Sequence, residues 1–149
     1  PLEDESVDGA MCECALCTFP DKATAARELQ RVLKPGARLA ISDVTARPGE
    51  LPDELTSLHA WVACIADARP LDEIAALLEA SGLVVERTER HDRALVEMLD
   101  RIDGRLRVAR LLGPVLAGGP ARGRELVAAA KDAAARGALG YGVVIAWRP

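Results

Sequence analysis

KATAARELQRVLKPGARLAISDV, residues 22–44, reads as a helix that runs into a strand. Ala26, Leu29 and Leu33, supported by Ala25 and Val32, recur at helical spacing and predict an amphipathic helix over Lys22–Leu33. Lys34-Pro35-Gly36 is expected to stop it, since proline lacks the amide proton a helix interior needs. Arg38–Val44 then reads as a buried strand ending in Ser42 and Asp43. Toward the N-terminus, Pro20-Asp21-Lys22 favours a turn and a helix start. Before it, Asp8–Ala15 reads as a short buried strand that follows the acidic lead-in PLEDES, Pro1–Ser6. Strand, helix and strand with short links form a βαβ unit, which makes the two strands parallel and the crossover right-handed.

The turn out of that first strand carries the residues with chemistry. Met11–Pro20, MCECALCTFP, holds three of the four cysteines, Cys12, Cys14 and Cys17. Alternation along a strand puts Cys12 and Cys14 on one face. Cys17 falls just past the strand end, where α/β sheets bind ligands.

Downstream, Leu55, Leu58, Trp61, Val62 and Ile65 mark a helix carrying Cys64, and Leu71–Ser81 is a second helix with Gly82 as its cap. Leu83–Arg90 is a third strand, and Ala94–Leu112 a long amphipathic helix on Leu95, Leu99, Ile102 and Leu106. Gly113-Pro114 and Gly118-Gly119-Pro120 break it from an alanine-rich helix ending near Gly137, and Gly118-Gly119 with Gly123 reads as a loop between helices. Tyr141–Trp147 is a fourth strand. The class is α/β, a single domain over residues 1–149 with about four strands and helices on both faces.

Half of the 149 residues are hydrophobic, enough for a buried core. The net charge of -4 comes from 19 basic and 23 acidic residues without a basic stripe, and aromatics are 3%, so neither the electrostatic footprint nor the stacking platforms of a nucleic-acid binder are present. No apolar run approaches the roughly 20 residues that cross a bilayer, and no leader pattern is seen. A cytoplasmic protein is expected, in which cysteines act as thiols, metal ligands or redox groups rather than as structural disulfides.

The order of elements, with DESVDGAM leading into a strand, AARELQRVLKPGARLAISD across a helix and strand, and GYGVVIAWRP at the end, resembles the C-terminal half of class I S-adenosylmethionine-dependent methyltransferases. The resemblance implies a Rossmann-like sheet whose last strand is antiparallel. Within that superfamily, CECALCTFPDK is similar to the post-strand segment NCVxNLSPDK of arsenite methyltransferases, and ACIADA to their downstream cysteine segment. For that family the resemblance implies Cys14 and Cys64 as the thiolates that ligate trivalent arsenic, and Glu13 beside the S-adenosylmethionine. Cys12 and Cys17 are thiols additional to the family pattern, and Cys17 is the candidate for a third soft-metal ligand should Cys14 and Cys64 converge. The glycine-rich turn and the acidic residue that make the family's cofactor cradle would precede Pro1. The 149 residues alone are therefore expected to bind the cofactor weakly. They are also expected to pair through the first strand, as a homodimer or with a separate N-terminal half.

Read without the resemblance, the same residues leave alternatives open. Cys12 facing a sheet interior is a core thiol. Cys14 and Cys17 have the C-x-x-C spacing of zinc and redox sites. His59 reads as a helix-surface or core histidine, and His91-Asp92 as the cap of a strand end. Asp43 reads as a strand-end acid that caps the next turn. The readings are a methyltransferase for arsenic or another soft thiol-bound acceptor, a small-molecule methyltransferase with structural cysteines, and a noncatalytic zinc- or arsenite-binding protein. Methylation of a soft atom needs no general base, because its lone pair attacks the methyl in line and the protein supplies positioning and a desolvated site.

Overall fold

The computed structural model describes residues 2–56, 65, 67–111 and 119–149. Strand β1 (Val7–Glu13) leads through a 3-10 turn (Leu16–Thr18) into helix α1 (Lys22–Val32) and strand β2 (Leu33–Ala46). A second 3-10 turn (Asp53–Leu55) precedes α2 (Leu71–Ala80), β3 (Val84–Arg90), α3 (Asp92–Leu111), α4 (Gly119–Ala135) and β4 (Leu139–Trp147). The strands form one sheet in the order β1-β2-β4-β3. β1 and β2 are parallel, and β4 runs antiparallel to both β2 and β3. The expected α/β sheet with an antiparallel last strand is thus the one observed. The helix expected to carry His59 and Cys64 falls largely on residues outside those described.

Asp21 starts α1 as its N-cap, its carboxylate accepting the Thr24 N–H at 2.9 Å. These hydrogen bonds to Thr24, side chain and backbone, hold the Asp21 carboxyl below the usual carboxylate range. The other end departs from expectation. Lys34-Pro35-Gly36 lies inside β2, where the register shifts: Val7 pairs with Leu33 and Gly9 with Arg38, so that Asp8 alone stands against residues 34–37. Leu33 itself is already extended (φ -69, ψ 138), so the helix closes at Val32, ahead of Lys34-Pro35-Gly36, and the proline-glycine pair becomes an irregularity in the strand. Gly36 takes φ 81, open to glycine without strain, and its N–H donates to the Arg148 carbonyl at 2.7 Å. Gly82 (φ 94) caps α2 as expected.

Two hydrophobic clusters divide the sheet. Cys12, Leu39, Ile41, Val144 and Ala146 pack on one face against Ala26 of α1 and Ile74 and Leu78 of α2. On the other face Val44, Ala46 and Leu139 pack with Leu55 of the second 3-10 turn, with Leu95 and Leu99 of α3, and with Val127, Ala130 and Ala133 of α4. Helices therefore lie on both faces, but α3 and α4 cover only the end of the second one. Farther along it, Met11 is 76% exposed and a shallow pocket is lined by strand residues including Gly9, Met11, Ala40 and Ile145. The glycines read as a loop are partly helical: Gly123 lies inside α4, where an added Cβ would stand 3.3 Å from Leu106, so its smallness lets α3 and α4 approach. No helix among the described residues is long and apolar enough to cross a membrane.

Candidate functional site

The carboxyl end of β1 departs from the alternation that the sequence predicts. Cys12 obeys it and is buried between the sheet and α1. Burial pushes the Cys12 thiol up, and the Asp43 carboxylate pushes it in the same direction, so at neutral pH it is an uncharged core group. β1 ends at Glu13, and Cys14 adopts φ 47, in the left-handed region that a side chain with a Cβ enters at a cost of about 1–2 kcal/mol. Its N–H still donates to the Ser42 carbonyl at 2.8 Å. The side chain no longer follows Cys12: the half-buried thiol sits 3.7 Å from the hydroxyl of Tyr141, near the start of β4. The shared face expected for Cys12 and Cys14 is corrected by this one backbone angle.

Cys17 lies in the 3-10 turn and is 4% exposed. Its N–H donates to the buried Asp43 carboxylate at 3.2 Å, whose second oxygen accepts the Val44 N–H at 2.8 Å. Asp43 thus holds the turn after β1 to β2; it lies inside β2 and not at its end, so the expected cap of the turn after its own strand is corrected. Lys22 completes the clamp, donating to the carbonyls of Cys17 and Phe19 at 3.2 Å each and forming an ion pair with Asp67. Asp67 follows Cys64 by three positions. Cys64 itself lies outside the described residues. Among the described residues, no group of three or more histidines, cysteines and carboxylates is gathered to hold a metal ion.

Glu13 and Ser42 stand opposite one another in the β1–β2 register, Glu13 exposed, on the face away from α1 and α2. Tyr141, which sequence reading missed as a site residue, joins them. Burial pushes its phenol up; nearby Ser42 acts the other way, and Cys14 raises it further. A groove of about 790 Å³ opens elsewhere, at the ends of β2, β3 and α2 beside Thr45, Asp72 and Arg90. None of Glu13, Cys14 or Tyr141 lines it, so the chemistry-bearing residues belong to the other face.

The model of the family described as "Methyltransferase domain" matches residues 1–41, which run through β1 and α1 into β2. An arsenite methyltransferase of Halobacterium salinarum is 34% identical over 83 residues, 55% of this chain and 21% of that protein. Over the aligned part, the sequence is similar to class I S-adenosylmethionine-dependent methyltransferases. An O-methyltransferase of Aspergillus nomiae, rstn1, is 35% identical over 97 residues, covering 62% of this chain and 41% of the relative. The class I fold extends over the whole chain. A structure described as a sarcosine dimethylglycine methyltransferase from Galdieria sulphuraria superposes with a TM-score of 0.82 at 24% identity, over 99% of this chain and 55% of that one. The chain therefore spans about half the length of that methyltransferase, and its alignments take in less than half of each of these two curated relatives.

Proposed function

We propose that this chain is the acceptor-holding part of an S-adenosylmethionine-dependent methyltransferase, with trivalent arsenic, held by the thiolates of Cys14 and Cys64, as its acceptor. The observation that carries this reading is the conformation of Cys14. A non-glycine residue kept at φ 47 at the end of a parallel strand, with its thiol turned to a tyrosine hydroxyl, is a local cost that folding alone does not require. Thiolates are the ligands that soft ions select. The relatives named arsenite methyltransferase support the choice of acceptor.

Glu13 is the residue of this chain assigned to the cofactor. Its exposed carboxylate at the end of β1, on the open face and opposite Ser42, fits a ligand rich in hydroxyl and amino groups. When bound, S-adenosylmethionine supplies an electrophilic methyl on a sulfonium. This chain's part is to hold the acceptor's lone pair toward that methyl and to exclude water, for which Cys14 and the buried turn around Cys17 are placed. Cys17 is assigned as a third thiolate. The ion pair of Asp67 with Lys22 ties the segment just after Cys64 to the Cys17 turn, which favours the convergence of these cysteines.

A second reading has its own support. Cys12 and Cys17 are buried as core groups are, and a relative of similar identity is an O-methyltransferase, so a small organic acceptor with structural cysteines is the alternative. The two readings are separated by following labelled methyl from S-adenosylmethionine in the full-length protein, offered arsenite with a thiol or a panel of phenols and amines. Methylated arsenic that disappears in Cys14→Ser supports the first; transfer to an organic acceptor that survives Cys14→Ser supports the second and overturns the first.

A further inference from the structure

We propose that the groove at the ends of β2, β3 and α2 binds a small zwitterion of the aliphatic amino-acid type, with its charged head at the carboxyl end of the sheet and its apolar tail along α2. The groove takes in none of Glu13, Cys14 or Tyr141, so the proposal stands apart from the reading of Cys14.

Thr45 lies at the floor of the groove. It is 7% exposed, and its hydroxyl makes no hydrogen bond among the described residues. A polar group so far withdrawn from solvent is ordinarily paired. Its cross-strand neighbour in β4 is Gly140, where a Cβ would stand 3.0 Å from the hydroxyl and 3.3 Å from an Arg90 guanidinium nitrogen. Glycine at that position leaves the Thr45 hydroxyl open to the groove.

Two charged groups stand at the same end. The Ala46 N–H donates to the Arg69 carbonyl at 3.3 Å, which ties the end of β2 to the residue before Pro70 and brings Arg47 beside the first turn of α2. Among the described residues the Arg47 guanidinium makes no hydrogen bond, only an ion pair with Glu50 at 3.5 Å, and Asp72 of that first turn has neither a hydrogen bond nor an ion pair. Arg90, in contrast, is committed to Asp92, its Nε donating to the carboxylate at 3.0 Å. An open guanidinium, an open carboxylate and an open hydroxyl in one recess suit a ligand that carries both signs of charge. A lone anion would meet Asp72, and a lone cation would meet Arg47.

Away from that end the lining turns apolar. Beyond Leu71, α2 meets the groove with Asp72, Ala75, Ala76 and Glu79, a single stripe at helical spacing. The middle of the stripe is two alanines, with Val85 of β3 in the same lining, and Glu79 lies about 10 Å beyond Asp72 along the helix axis. The small side chains leave room between the two acids, and a volume of about 790 Å³ is ample for an aliphatic tail.

The test is saturation-transfer NMR on the full-length protein with L-leucine as the probe, beside 4-methylpentanoate, which lacks the ammonium, and 3-methylbutylamine, which lacks the carboxylate. L-Leucine is expected to bind with a dissociation constant of about 1 mM or below, its methyls receiving the strongest saturation. Each analogue should bind about tenfold more weakly, the scale of one hydrogen bond to a charged group. Arg47→Gln should bring leucine down to the level of the amine, and Asp72→Asn to the level of the carboxylate. Both residues are exposed, so neither variant disturbs the core. Thr45→Val keeps the shape, removes the hydroxyl and is expected to weaken leucine severalfold. Analogues that bind as tightly as leucine, or a leucine affinity unmoved in both Arg47→Gln and Asp72→Asn, overturn the proposal. So does the absence of saturation transfer at about 20 mM leucine.

Discussion

The N–H of Cys17 donates to the carboxylate of Asp43 at 3.2 Å, so the turn that follows β1 is held from inside β2. Asp43 is 2% exposed and accepts two backbone N–H groups, those of Cys17 and Val44. Asp43→Ala leaves both buried and unsatisfied, and each such group costs about 1–3 kcal/mol. Asp43→Asn keeps one oxygen and should lose less. Urea unfolding of the two variants should rank wild type, Asn and Ala in falling order of stability, and an Ala variant as stable as the wild type would show that the turn is held by other contacts.

Cys14 is the position where stability and binding should part. At φ 47 glycine is free of the penalty that any L side chain meets, so Cys14→Gly is expected to be no less stable than the wild type, gaining up to about 1 kcal/mol, while it loses its ligand thiol. Thermal unfolding of Cys14→Gly beside Cys14→Ser reads this directly. A large drop in the melting temperature of the glycine variant would mean that the cysteine side chain holds the turn together.

Cys12 gives a pH dependence of defined sign. Burial raises its thiol above the ordinary value, so the folded state favours the protonated form more than the unfolded chain does. That contribution is complete below the unfolded thiol's own titration and is lost as the pH rises through the higher folded value. Stability should therefore fall on the alkaline side, and the alkaline loss should be shallower in Cys12→Ala, whatever that variant's stability at pH 7.

The two edges of the sheet differ. β3 ends in Glu86, Arg87, Glu89 and Arg90, charges that discourage pairing, while β1 is at the other edge with Gly9-Ala10-Met11-Cys12 and pairs only with β2 among the described strands. We propose that this edge is paired in the functional protein, with a second copy or with an N-terminal half. Sedimentation of the 149-residue chain at low micromolar concentration should show a dimer or larger species, and Met11→Lys should shift it toward monomer. A stable monomer would remove the proposal.

Much of this fold is legible in the sequence because its signals are periodic. Ala26, Leu29 and Val32 announce α1, and Arg38–Val44 announces the buried centre of β2. Lys34-Pro35-Gly36 misleads because a proline-glycine pair punctuates a helix end and a strand irregularity alike, and only the pairing of Leu33 with Val7 tells them apart. Cys14 was found as a candidate by its surroundings, but its partner was not. Tyr141 is 127 positions away, and their meeting depends on β4 entering the sheet beside β2 and on one left-handed residue, neither of which leaves a periodic trace. Glycine and asparagine are the residues that signal such a turn in sequence, and a cysteine there gives no such signal.

The most direct measurement is calorimetric titration of arsenite into the full-length protein and its single cysteine variants. Cys14→Ser and Cys64→Ser should abolish binding, Cys17→Ser should weaken it, and Cys12→Ser, at a thiol buried in the core, should bind as the wild type does. Wild-type affinity in Cys14→Ser would contradict the assignment of the acceptor to this thiol.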